Sequence, residues 1–178
     1  MRATGIVRRI DSLGRIVIPK EIRRTMQIRE GDSLEIFVEA AGEIVLRKYS
    51  TIDELGKYAE NYANLLFKMI EIPVIIADRE RVVAVSSGLS KNDVIGKSVS
   101  VEFDRLMQKR KVYTATSDSV LYPIQNVPHK GLVCIPIVSY GDLIGSIILV
   151  DINSVKATET HIKLGQFVAS LFGQQLSS

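Results

Sequence analysis

With a single cysteine, Cys134, the chain has no means of forming an internal disulfide. Its two histidines, His129 and His161, lie 32 positions apart and do not match zinc-ligand spacing, so metal and disulfide staples drop out together. Long apolar runs are missing too. The greasiest stretch, Leu143 to Val150, is interrupted by Gly145 and Ser146 and stops at Asp151; a bilayer span needs ~20 residues. Arg8, Arg9 and Asp11 break any apolar run near the start, which does not read as a signal peptide. No membrane partner and a cytoplasmic location are therefore expected. Internal repeats and low-complexity tracts are also lacking. What remains, 178 residues that are 46% hydrophobic and 24% charged, has the composition of globular protein with room for one ordinary domain or two small ones.

The net charge of +3 says little, but its distribution is uneven. Residues 1–29 hold eight Lys or Arg (Arg2, Arg8, Arg9, Arg15, Lys20, Arg23, Arg24 and Arg29) against Asp11 and Glu21. Residues 30–50 reverse the sign, with Arg47 and Lys48 outnumbered by Glu30, Asp32, Glu35, Glu39 and Glu43, and the rest of the chain balances. A basic excess confined to one end points to a polyanionic partner contacted there.

The first fifty residues read as short strands around one short helix. Strands are expected at 5–10, 15–18, 33–39 and 43–47, with Gly14, Gly31 and Gly42 in the connections. Pro19 suits the first position of a helix running to about Met26, and Glu21 in the first turn favours the helix dipole. Ile22 and Met26 form its apolar face, so Arg23 and Arg24 point elsewhere. The strands carry apolar residues on both faces: Val17 is opposite to Ile16 and Ile18, and Phe37 is opposite to Leu34, Ile36 and Val38. So small a unit buries little of its surface alone, and a second chain is expected to cover one face in an obligate dimer.

A domain boundary is expected at residue 50, giving domains 1–50 and 51–178. Thr51 and Glu54 have capping-box spacing, and Leu55, Tyr58, Ala59, Tyr62, Ala63, Leu66, Met69 and Ile70 recur at helical intervals until Pro73 stops the helix. Strands follow at 74–77 and 82–85, short helices between 90 and 112, and a second strand pair at 132–138 and 143–150. A last helix carries Leu164, Phe167, Val168, Leu171 and Phe172.

The run from Thr4 through Asp11, then Leu13 through Pro19, then Glu21 through Arg24, resembles the DNA-binding domain of AbrB-type transition-state regulators over roughly residues 1–50. The remainder is similar to GAF domains, in the order of its elements and in Ile144 to Leu149 leading to the final helix. The pair of domains together is similar to sporulation regulators of endospore-forming bacteria. The fold class implied is α+β: an N-terminal β-rich, swapped-hairpin dimeric DNA-binding domain, plus a GAF-like domain with a central antiparallel sheet and flanking helices. The resemblance also implies double-stranded DNA as partner, control of sporulation genes as activator or repressor, and DNA contacts by Arg8, Arg15, Arg23 and Arg24. Arg9 and Lys20 are placed at the rim of that surface. Guanidinium groups suit this role, because each is permanently charged and presents a fork of donors matching phosphate or the guanine edge.

Catalytic chemistry finds no support in the pattern. Cys134 lies within an apolar strand, His129 follows Pro128 in a loop, and Asp78, Asp142 and Asp151 occupy strand ends where Asp commonly caps backbone groups. No cofactor is indicated, though a GAF-like half leaves room for an unidentified small-molecule ligand. The helical stripes at Leu55 to Ile70 and Leu164 to Leu176 cover their own sheet or pack across a second interface, which would make a homotetramer. Two other functions compete: an antitoxin-like autoregulatory DNA-binding protein, since the same swapped hairpin occurs in antitoxins, and a metabolic enzyme with a GAF-like pocket.

Overall fold

The computed structural model describes residues 5–26, 28–40, 42–48, 56–117, 119–152 and 154–175. The chain divides into two compact units, Met1–Tyr49 and Ser50–Ser178. The capping box read at Thr51 and Glu54, with Leu55 and Leu176 of the helical stripes, lies outside the described residues.

In the first unit one helix, α1 (Lys20–Thr25), precedes an antiparallel hairpin of β1 (Leu34–Val38) and β2 (Ile44–Lys48). Pro19 stands at the N-cap rather than the first helical position, with an extended ψ of 148°. One residue of slippage at a helix end is ordinary, and the missing proline N–H is harmless at either place. Segments 5–10 and 15–18, read as strands, belong to no ladder among the described residues. The turn between them is closed: the Asp11 N–H donates to Arg15 O and the Gly14 N–H to Asp11 O, both at 3.0 Å. Gly14 has φ +77°, which glycine adopts without strain. A strand needs a ladder partner for its N–H and C=O groups, and no strand among the described residues runs beside these two segments.

Register explains the exposed apolar surface of this unit. Ile36 pairs with Leu46 and Val38 with Ile44, so all four share one face of the hairpin, and that face is open to solvent. The opposite face carries Phe37 opposite Val45, both half-buried, with the Arg47 guanidinium 4.8 Å from the Phe37 ring centre. Val7, Ile10, Leu13, Ile16 and Val17 are exposed as well.

The second unit is built on a five-stranded antiparallel sheet ordered β4-β3-β7-β6-β5. Its strands are β3 (Val74–Asp78), β4 (Val82–Val85), β5 (Tyr113–Thr114), β6 (Lys130–Ser139) and β7 (Asp142–Asp151). Long helices α2 (Gly56–Ile70) and α5 (Glu159–Gln175) cover one face; α3 (Lys91–Val94), α4 (Val101–Met107) and adjoining loops cover the other. Alternation divides the strands between two cores. Val74, Ile76, Val133, Ile135, Ile147 and Leu149 meet Ala59, Ala63 and Leu66 of α2 and Val168, Ala169 and Phe172 of α5. Ile75, Ala77, Cys134, Ile148 and Val150 face the opposite core with Phe103 and Met107. Burial on both faces is why these strands read as continuous apolar runs rather than as an alternating pattern. The β6–β7 hairpin closes through Tyr140 (φ 47°) and Gly141 (φ 85°), the two positive φ angles that a tight primed turn requires.

The stripe read on α2 divides. Ala59, Ala63 and Leu66 are buried, but Tyr58 and Met69, assigned to the same stripe, are 57% and 59% exposed, and Leu65 joins them on the outside. Tyr62 meets Phe172 edge-on at 5.0 Å and accepts a hydrogen bond from Gln175 Nε2 at 3.0 Å, tying α2 to α5.

Candidate nucleic-acid interface

All six cations assigned to the basic surface, Arg8, Arg9, Arg15, Lys20, Arg23 and Arg24, are exposed. Helix α1 gathers three of them. Lys20, Arg23 and Arg24 stand at i, i+3 and i+4, the spacing that places side chains on one helical face. Arg23 and Arg24 occupy the last turn, where a positive charge complements the carbonyl end of the helix dipole. The half-buried Ile22 sits on another face of α1, consistent with the arginines turning away from it, whereas Met26, read as its apolar companion, is 52% exposed just past the helix. Arg8 and Arg9 precede the Asp11–Gly14 turn and Arg15 follows it. Arg8 Nη1 donates to its neighbour's carbonyl, Val7 O, at 3.1 Å.

Arg15 is held by a residue that charge counting overlooks. Asp11 Oδ2 accepts from Arg15 Nε at 2.7 Å, while Asp11 Oδ1 accepts the backbone N–H groups of Leu13 and Arg15, each at 2.9 Å. These bonds hold the Asp11 carboxyl below the ordinary aspartate range; the Arg15 backbone N–H contributes most, then the Arg15 side chain. The signal was present in the sequence. Asp-Ser-Leu-Gly at 11–14 has aspartate at the first and glycine at the fourth position of a turn, where both are favoured.

The second unit offers little chemistry of its own. Cys134 is fully buried, and desolvation pushes its thiol far above the range of a working nucleophile. His161 Nδ1 accepts the Thr158 N–H at 3.2 Å while Thr158 Oγ1 accepts the His161 N–H, a reciprocal bracket at the start of α5. A small void lies between the end of β3 (Asp78, Arg79), α4 (Phe103, Met107) and β7 (Gly145, Ser146). At about 10 Å3 it holds a single water molecule at most. The Ser146 hydroxyl, buried there, has no hydrogen-bond partner among the described residues. No helix of the described residues is long and apolar enough to cross a membrane.

Comparison with known proteins divides the chain along the same line. A family model described as stage V sporulation protein T C-terminal, transcription factor, matches residues 54–177, and one described as antidote-toxin recognition MazE, bacterial antitoxin, matches residues 7–53. Stage V sporulation protein T of Bacillus subtilis is 42% identical over 178 residues, 99% of each chain. The transition state regulatory protein AbrB of the same organism is 57% identical over 49 residues, 28% of this chain and 50% of that protein. Among solved structures, the GAF domain of an Acinetobacter phosphoenolpyruvate-protein phosphotransferase superposes with a TM-score of 0.56 at 10% identity, covering 69% of this chain and 82% of that one. At that identity the likeness concerns the fold alone.

Proposed function

The chain belongs to the stage V sporulation protein T family of transcription factors, and on that premise we propose that it regulates sporulation genes by gripping double-stranded DNA with the arginines of its first unit. The observation that carries this reading is the joint exposure of Arg8, Arg9, Arg15, Lys20, Arg23 and Arg24 within residues 5–29, a stretch whose acidic residues are Asp11 and Glu21. Arg8, Arg15, Arg23 and Arg24 make the principal contacts, and Arg9 and Lys20 lie at the rim.

The partner of the first unit is a second copy of the chain. Its hairpin leaves Ile36, Val38, Ile44 and Leu46 open on one face, and segments 5–10 and 15–18 enter no sheet among the described residues; a homodimer supplies strands to the second and cover to the first. A two-fold axis then doubles four principal arginines to eight. Each neutralised phosphate releases counterions, so affinity falls steeply as salt rises. The single helix is six residues long and presents no extended reading surface, which favours backbone positioning and DNA shape over a strict base code.

The second unit acts as a sensory and assembly module without catalytic activity. Tyr58, Leu65 and Met69 on α2 and Phe167 on α5 leave an apolar outer surface on two neighbouring helices, and pairing this surface between dimers gives a homotetramer. A small ligand entering beside Ser146 must displace Phe103 and Met107, since the void is already filled to the size of one water. Such a shift of α4 is the means by which a ligand would bias the DNA-binding dimer. The location is cytoplasmic. The antitoxin reading draws on the match over residues 7–53, but antitoxins of this fold need no patterned second unit like that at 56–175.

Arg15→Ala and Arg23→Ala are expected to remove most DNA binding in a mobility-shift assay while leaving the oligomer intact by light scattering. Unchanged binding by both variants overturns the assignment.

A further inference from the structure

The contact between Asp11 and Arg15 is more than the turn requires. Oδ1 alone, accepting from the Leu13 and Arg15 N–H groups, closes the turn; Oδ2 is left to take Arg15 Nε–H at 2.7 Å. The two backbone bonds between residues 11, 14 and 15 hold the carboxylate itself in place. Arg15 is thus fixed at its inner nitrogen by a rigid acceptor, while its side chain stays 72% exposed. An ion pair so open to water adds little to folding. What it does is restrain a guanidinium at one edge and leave the two terminal nitrogens, with four N–H donors, uncommitted to Asp11.

A freely rotating arginine gives up rotamer freedom when it grips DNA, and a held one gives up less. The same carboxylate also brings a negative charge close to the phosphates, which disfavours any duplex that does not engage the fork. One group therefore does two things: it favours the duplex that meets Arg15 in its held orientation, and it weakens the rest. We infer that Asp11 is a positioning residue that sets DNA specificity by holding the Arg15 guanidinium in its reading orientation. The inference rests on the DNA-binding reading given above and adds to it a residue of the opposite charge.

The test uses the full-length protein, a duplex selected by it from a random pool, and a random-sequence duplex of equal length. Asp11→Asn retains an oxygen for the turn but loses the charged acceptor of Arg15 Nε–H. The ratio of affinities for selected over random duplex is expected to fall about fivefold or more. Binding to the random duplex stays level or tightens, and the salt slope is unchanged because Arg15 keeps its charge. In an Arg15→Ala background the same substitution leaves the ratio where Arg15→Ala has put it. An unchanged ratio for Asp11→Asn, or an equal further fall in the Arg15→Ala background, overturns the inference while leaving DNA binding itself intact. If Arg15→Ala binds both duplexes as the parent does, the inference fails, and if Arg23→Ala does so too, the DNA-binding reading fails with it. Should Asn disturb the turn, as seen in the circular dichroism melt, Asp11→Ser provides a short hydroxyl acceptor in its place and carries the same expectation.

Discussion

Gly173 of α5 lies so close to β6 that a Cβ placed on it would stand 2.3 Å from the carbonyl oxygen of Val138. Backbone cannot rotate away, so Gly173→Ala must push the helix off the sheet, and a loss of about 1–3 kcal/mol is expected. Gly165 differs although its Cβ would come equally near to Ile135, at 2.2 Å, because the atom met is Cδ1 at the tip of a flexible side chain. There the gain of up to about 1 kcal/mol from replacing a helical glycine offsets the repacking. Urea denaturation of both variants checks this, and equal midpoints would contradict it.

Two buried serines should respond differently to loss of the hydroxyl. Ser86 Oγ accepts the Val74 N–H at 2.8 Å, so Ser86→Ala strands a buried donor and costs about 1–3 kcal/mol. Ser146 Oγ satisfies nothing among the described residues, so Ser146→Ala is expected to be neutral or stabilising by about 1 kcal/mol. Loss of stability in Ser146→Ala would reveal an ordered water in the void it borders.

For Asp11 the sign of the pH effect follows from its hydrogen bonds. Its carboxyl is depressed in the folded turn, so the order it contributes is complete above the ordinary aspartate pKa and is lost as pH falls through the folded value. Carboxyl-carbon NMR titration should therefore give a midpoint below that of an unstructured aspartate. Arg15→Ala should return it only part of the way, since the backbone donors of Leu13 and Arg15 remain. Full return would mean that the guanidinium, rather than the turn, dominates.

Phe167 is 61% exposed in the middle of α5, as Leu65 and Met69 are on α2. A charge placed there is expected to separate dimers without unfolding them. Multi-angle light scattering of full-length Phe167→Glu should give half the mass of the parent, with an unaltered far-ultraviolet spectrum. A parent that is already dimeric removes the proposed second interface.

The parts of the fold that could be read in advance are those whose cause is local. Pro73 stopping α2, the glycine-bearing turn at Tyr140 and Gly141, and the apolar runs of β6 and β7 each act within a few residues. Segments 5–10 and 15–18 could not be judged so, because a strand is a property of two paired segments, and neither of these enters a sheet among the described residues. The stripe on α2 misled for a related reason: apolar residues occupy more than one face, and periodicity alone does not say which face meets the sheet and which looks outward. The basic cluster was legible as charge, whereas Asp11 was legible only as a turn former, since its hold on Arg15 lies in hydrogen bonds made across that turn rather than in its contribution to net charge.

The strand order has a consequence for synthesis. In the sheet β3 stands next to β7, with Val74 meeting Leu149, so the strand made early finds its central neighbour only when nearly the whole chain has left the ribosome. The β6–β7 hairpin needs no such delay, because a two-residue link closes it at small entropic cost. Its completion supplies the template on which the waiting β3–β4 pair docks, and until then Val74 to Ala77 must be kept from the neighbouring nascent chains of a polysome.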